Sequence, residues 1–156
     1  MPSGEVIKAE DVLVPARPGR KVVILGDTCD ASSMIPHAQG ADLVVHEATN
    51  AWIGGLDDKS PRGVEQDTIA HGHSTPEMAG AFARAVSARR LVLTHFSPRY
   101  RGDSAEFARR IMLQIEQYAR KVSGLQGDRV VAAWDLMTLA IQRPGYEDDG
   151  DDDYDV

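Results

Sequence analysis

Asp42-Leu43-Val44-Val45-His46-Glu47-Ala48-Thr49 is the stretch that decides the fold. Leu43-Val44-Val45 is a short apolar run without alternation, the pattern of a strand buried on both faces, and it ends at the polar pair His46-Glu47. The same pattern stands on either side of it. Upstream, Lys21-Val22-Val23-Ile24-Leu25-Gly26 ends at Asp27; downstream, Leu91-Val92-Leu93-Thr94 ends at His95. A short helix is predicted around Ser32 to Gln39. Thr75-Pro76 opens another, with Thr as N-cap and Pro at the first helical position, where its missing N–H is not needed. Met78, Phe82, Ala85 and Val86 give that helix an apolar face, and Arg89-Arg90 are expected to close it near the negative end of its dipole. Strand, helix, strand therefore recurs, and the class is α/β.

Further out the signals are more varied. Asn50 to Ile69 is polar, rich in Gly, Asp and Pro and without period, which predicts a long surface loop. Asp103-Ser104-Ala105-Glu106 resembles a capping box, and Phe107, Ile111, Ile115, Tyr118 and Val122 predict a long amphipathic helix. Val130 to Ala133 and Leu136 to Ile141 are expected as two further strands, an antiparallel pair closing the domain.

Composition bounds the partners. At 156 residues, with 42% apolar and 26% charged residues, the chain has the make-up of one globular domain, and no apolar run approaches the ~20 residues that span a bilayer. The single cysteine, Cys29, excludes an internal disulfide and fits a reducing compartment. No signal- or transit-peptide pattern is seen, so cytoplasm or nucleus is the expected location. The net charge of −7 is unevenly placed: Glu147, Asp148, Asp149, Asp151, Asp152, Asp153 and Asp155 hold seven of the 24 acids, which leaves 17 acids against 17 bases elsewhere. Residues 144–156 are thus expected to be a solvated acidic tail, or a regulatory one that competes with RNA phosphates. Between Arg84 and Lys121, nine bases meet three acids, a stretch basic enough to meet phosphate.

In parallel α/β sheets linked by helical crossovers, the C-terminal strand ends share one edge, where such folds place their sites. Asp27, His46-Glu47 and His95 each follow a different strand, and His73 precedes a helix that starts on the same edge. Each residue also has a plain structural reading. Asp27 could be a turn residue or cap, His95 a core histidine, His46-Glu47 a structural pair, and His71-Gly72-His73 a coincidence of spacing.

Their wording and order are more specific. Gly26-Asp27-Thr28, His46-Glu47-Ala48-Thr49, Gly72-His73-Ser74-Thr75-Pro76 and Leu93-Thr94-His95-Phe96-Ser97 with Arg99-Tyr100 together resemble the tRNase Z family, in its short eukaryotic form, within the metallo-β-lactamase superfamily. The resemblance runs from about Gly4 to Arg143, apart from the Asn50 to Ile69 loop. It implies the C-terminal half of an αββα metallo-β-lactamase fold, with residues 1–20 as a lead-in and 21–143 as the half-domain. The implied activity is that of an endoribonuclease removing 3′ trailers from precursor tRNA, with two zinc ions and a homodimeric complete enzyme. Asp27 matches the carboxylate bridging the two ions and His95 a terminal metal ligand. His73, oriented by Glu47, matches the general acid at the leaving 3′-oxygen, and Thr75 and Arg99 match phosphate contacts.

The family's H-x-H-x-D-H motif and one further metal-binding histidine have no counterpart here; His37 falls in a predicted helix and His71 is out of position. A zinc site needs about three protein ligands per ion, so the expectation is that this chain supplies half a site and depends on a missing N-terminal half or partner chain. Alone it is expected to bind zinc weakly, to leave precursor tRNA uncut and, with an apolar sheet face uncovered, to associate. Two alternatives are a non-catalytic RNA-binding or scaffold protein and a metal-dependent small-molecule phosphodiesterase.

Overall fold

The computed structural model describes residues 8, 12–13, 19–100 and 105–142. The acidic tail of residues 144–156 and most of the lead-in lie outside the described residues. Four strands, β1 (Val22–Leu25), β2 (Leu43–Glu47), β3 (Leu91–Thr94) and β4 (Val130–Ala132), form one sheet in the order β1-β2-β3-β4, every pair parallel. A 3-10 turn (Ser32–Met34) and a short helix α1 (Ile35–Ala38) join β1 to β2. Helices α2 (Pro61–Ala70) and α3 (Pro76–Ala85) lie between β2 and β3, and α4 (Glu106–Ser123) lies between β3 and β4. Because the strands follow one another across the sheet, right-handed crossovers put their connections on the same face.

That face is the core. Val23, Val44, Leu91, Leu93 and Val130 point into it and meet Phe82, Ala83 and Val86 from α3 and its end, and Ile111, Ile115 and Ala119 from α4. The two helices cross at Gly80, where an added Cβ would stand 2.6 Å from the carbonyl oxygen of Ala119, so only glycine permits this approach. The opposite face carries the row Ile24, Val45, Val92 and Val131, in register across all four strands. Val92 is buried, but Ile24 is 73% exposed.

Several expectations need correction. The stretch from Asn50 to Ile69 is not all loop: Ser60 caps α2 by accepting from the Gly63 N–H at 3.2 Å, and Pro61 fills its first position. Only Val64 and Thr68 of α2 are buried, so the helix has no apolar stripe for the sequence to display. Arg89 and Arg90 lie beyond the end of α3 and pair with Asp42 and Asp128 instead, and Ala85 of the expected apolar face is exposed. The N-cap of α4 is Ala105, without a side-chain cap; Asp103 and Ser104 lie outside the described residues. Phe107 is exposed, because the buried stripe of α4 runs one position later, through Ala108, Ile111, Ile115 and Ala119.

Finally, β4 is parallel to β3, and Leu136 to Ile141 forms no strand. The segment is held by side chains: Arg20 donates to the Ile141 carbonyl and Arg90 to the Ala140 carbonyl, each at 3.0 Å. Met137, Leu139 and Ile141 are half-buried and alternate with exposed neighbours. Period two is present, but the neighbouring strand that would make it a ladder is absent among the described residues.

Candidate active site

Three strand ends and one helix start converge on one edge of the sheet. Glu47, the last residue of β2, is fully buried, and its carboxylate is the centre of the arrangement. Oε1 accepts from the Thr28 N–H at 3.1 Å, the Ser74 N–H at 2.8 Å and His73 Nδ1 at 3.2 Å. Oε2 accepts from the Thr49 N–H at 3.0 Å and the Thr49 hydroxyl at 2.7 Å. Burial pushes the Glu47 carboxyl up, but the Thr49 hydroxyl and the N–H groups of Thr28, Thr49 and Ser74 outweigh it and hold the group below its ordinary value. A buried anion is tolerated here because every lone pair that faces inward has a donor. Ser74 also donates from its hydroxyl to the Thr28 carbonyl at 2.6 Å, tying the loop after β1 to the start of α3.

A second group of polar side chains lies on the solvent side. Asp27, His73 and His95 each offer an atom within 4.8 Å of the others. His95 Nε2 stands 3.2 Å from Asp27 Oδ1, while its Nδ1 is 2.9 Å from Thr49 Oγ1. The His73 and His95 rings stack at 5.3 Å with 30° between planes. His95 sits at φ 57, a left-handed conformation that costs a non-glycine residue about 1–2 kcal/mol.

The two histidines around Gly72 separate. Gly72, at φ 81, turns the chain so that His71 donates from Nδ1 to the Asp67 carbonyl at the end of α2, at 2.7 Å, while His73 faces Glu47. His46 turns the other way, into the core: it donates to the Glu47 carbonyl at 2.7 Å, packs edge-on against Phe82, and burial lowers its pKa. The structural reading of His46 and His71 therefore holds, whereas Asp27, Glu47, His73 and His95 come together.

Thr75 and Arg99 have tasks of their own. The Thr75 hydroxyl caps α3 by accepting from the Met78 N–H, and the residue is buried. Arg99 grips Asp57 with two nitrogens, at 2.6 and 3.2 Å, and donates to the Ala51 carbonyl and the Tyr100 hydroxyl, each at 2.6 Å. Asp57 in turn accepts from the Ile53 N–H, so this clamp shapes the loop after β2. The guanidinium is committed to the protein, which leaves it poorly placed for the phosphate contact expected of it. The basic stretch is partly compensated: Arg89, Arg90, Arg99, Arg110 and Arg120 are in ion pairs, the first three with acids from outside the stretch.

Thr49 is the site residue that sequence reading missed. It stands in the His46-Glu47-Ala48-Thr49 run, but nothing in a sequence shows that its hydroxyl touches both a carboxylate and a histidine from another strand.

Residues 12–96 match the beta-lactamase superfamily domain. The chain belongs to this superfamily. Within the superfamily, it is 44% identical over 103 residues to a ribonuclease Z of Myxococcus xanthus, covering 66% of this chain and 30% of that protein. It is 38% identical over 143 residues to zinc phosphodiesterase ELAC protein 1 of Mus musculus, covering 89% and 36%. The crystal structure of human tRNase Z, short form, matches with a TM-score of 0.51 at 33% identity, over 80% of this chain and 34% of that one. The metallo-β-lactamase fold follows from these matches, and the chain spans about a third of the length of the curated relatives it matches.

Proposed function

We propose that the chain supplies one side of a zinc-dependent phosphodiesterase site that cleaves precursor tRNA at its 3′ end, with Asp27 and His95 as metal ligands and His73 as general acid. The observation that carries this reading is the pair His95 Nε2 and Asp27 Oδ1, 3.2 Å apart. That distance is close to the ~3.3 Å edge of a tetrahedron with bonds of about 2.05 Å, the geometry zinc takes with nitrogen and oxygen donors. The donor set therefore fits the metal. Similarity to proteins named ribonuclease Z and zinc phosphodiesterase supports the substrate and the ion.

Bound zinc would supply a water acidic enough to be deprotonated near neutral pH and positive charge beside the phosphate. The chain's own residues do the rest. Asp27 and His95 would hold the metal. Glu47 accepts from Nδ1 of His73 and so leaves Nε2 on the site side, where it can hand a proton to the departing 3′-oxygen.

Asp27, His73 and His95 form one three-residue cluster among the described residues, too few for two ions. The remaining ligands come from sequence outside these 156 residues or from a second chain, and the exposed Ile24 on the open sheet face gives such a layer a surface to cover. A homodimer of the complete enzyme belongs to the same reading. The test is cleavage of a precursor tRNA by a complete protein containing this chain, with product ends mapped. Release of the 3′ trailer, abolished by Asp27→Ala and reduced at least a hundredfold by His73→Ala, is expected; retention of cleavage by both variants, or preference for small phosphodiesters, would refute the assignment.

A further inference from the structure

We infer that Thr49 is a positioning residue that fixes His95 as its Nδ1–H tautomer, so that one buried carboxylate, Glu47, orients both site histidines. A threonine hydroxyl has one hydrogen to give and two lone pairs. Oε2 of Glu47 already accepts the Thr49 backbone N–H, and Oε1 accepts those of Thr28 and Ser74, so both oxygens act as acceptors. The single hydroxyl proton of Thr49 therefore goes to Oε2, at 2.7 Å. Towards His95 Nδ1, at 2.9 Å, the same Oγ1 has only a lone pair to offer. Nδ1 must carry the hydrogen.

The consequence falls on the other ring nitrogen. In the neutral ring Nε2 then holds the lone pair, and it faces Asp27 Oδ1, another acceptor, at 3.2 Å. Two acceptors at that distance repel unless a proton or a metal cation lies between them. Thr49 thus does for His95, through one hydroxyl, what Glu47 does directly for His73, and partners of this kind raise ligand basicity and fix ring orientation. The role of His95 as a metal ligand rests on the function proposed above, whereas its tautomer does not.

The experiment separates the two. In the metal-free 156-residue chain labelled with ¹⁵N, long-range ¹H–¹⁵N spectra at a pH where imidazole is neutral identify the His95 tautomer. The expected form is Nδ1–H in the wild type and in Thr49→Ser, which keeps the hydroxyl, with a shift towards Nε2–H in Thr49→Val. An Nε2–H ring in the wild type would overturn the inference without any variant, and so would an unchanged ring in Thr49→Val. In the complete protein, zinc affinity is expected to fall roughly 10- to 100-fold in Thr49→Val and to be restored in Thr49→Ser. A tautomer that shifts while zinc affinity does not would leave Thr49 its role and remove the metal from His95.

Discussion

Glu47 and Asp27 are carboxylates at the ends of neighbouring strands, and their surroundings are opposite. Glu47 is fully buried, with three backbone N–H groups, a hydroxyl and an imidazole donating to it. The Asp27 side chain is 60% exposed and faces a histidine nitrogen. The difference separates two jobs that a metal site needs. Glu47 is part of the scaffold and is complete within this chain. In the proposed site Asp27 belongs to the reaction surface, and a cation would complete its role.

The largest effect should come from breaking the scaffold side. Glu47→Ala strips a partner from several buried donors, and the free energy of unfolding is expected to fall by on the order of 3 kcal/mol, read from the denaturant midpoint. Acid sharpens the same contrast. Because the folded-state pKa of Glu47 is depressed, its contribution is present above the unfolded value, about 4.3, and is lost as pH falls through the lower folded value. Asp57 shifts the same way: burial raises it, and the Arg99 hydrogen bond and the Ile53 N–H more than offset this. Glu47→Gln should therefore flatten the acid limb of stability against pH without abolishing it, and an unchanged limb would mean that Glu47 is not held as an anion.

The smallest effect on stability belongs to the reaction side. Asp27→Asn is expected to change the unfolding free energy by less than about 0.5 kcal/mol, as exposed substitutions do, while zinc binding by the complete protein is lost. A large loss of stability there would erase the distinction between the two carboxylates.

How much of this was legible in the sequence follows from what each residue contacts. β1, β2 and β3 were readable because each is a short β-branched and apolar run ending at a polar residue, although β1, at the sheet edge, leaves Val22 and Ile24 exposed, and the strand ends then fixed where Asp27, Glu47 and His95 lie. His73 was readable through Thr75-Pro76, since the helix start pins the preceding loop. Helix α2 was hidden, although Ser60-Pro61 is the same signal that revealed α3, because two buried residues make no stripe. The extended segment after β4 kept its alternation but lacked a partner strand. Arg99 was expected at phosphate from the resemblance, and its ion pair with Asp57, 42 positions away, could not be read from the sequence. Long-range pairings of polar groups leave no period in a sequence, and Thr49 escaped notice for the same reason.

The central claim is that these residues form part of a zinc site and need further ligands to complete it. Zinc titration of the purified 156-residue chain, beside a complete protein that contains it, tests this most directly. The account predicts weak binding and no release of tRNA trailers by the chain alone, with tight binding and cleavage by the complete protein. Tight zinc binding with trailer release by the 156 residues alone would contradict it.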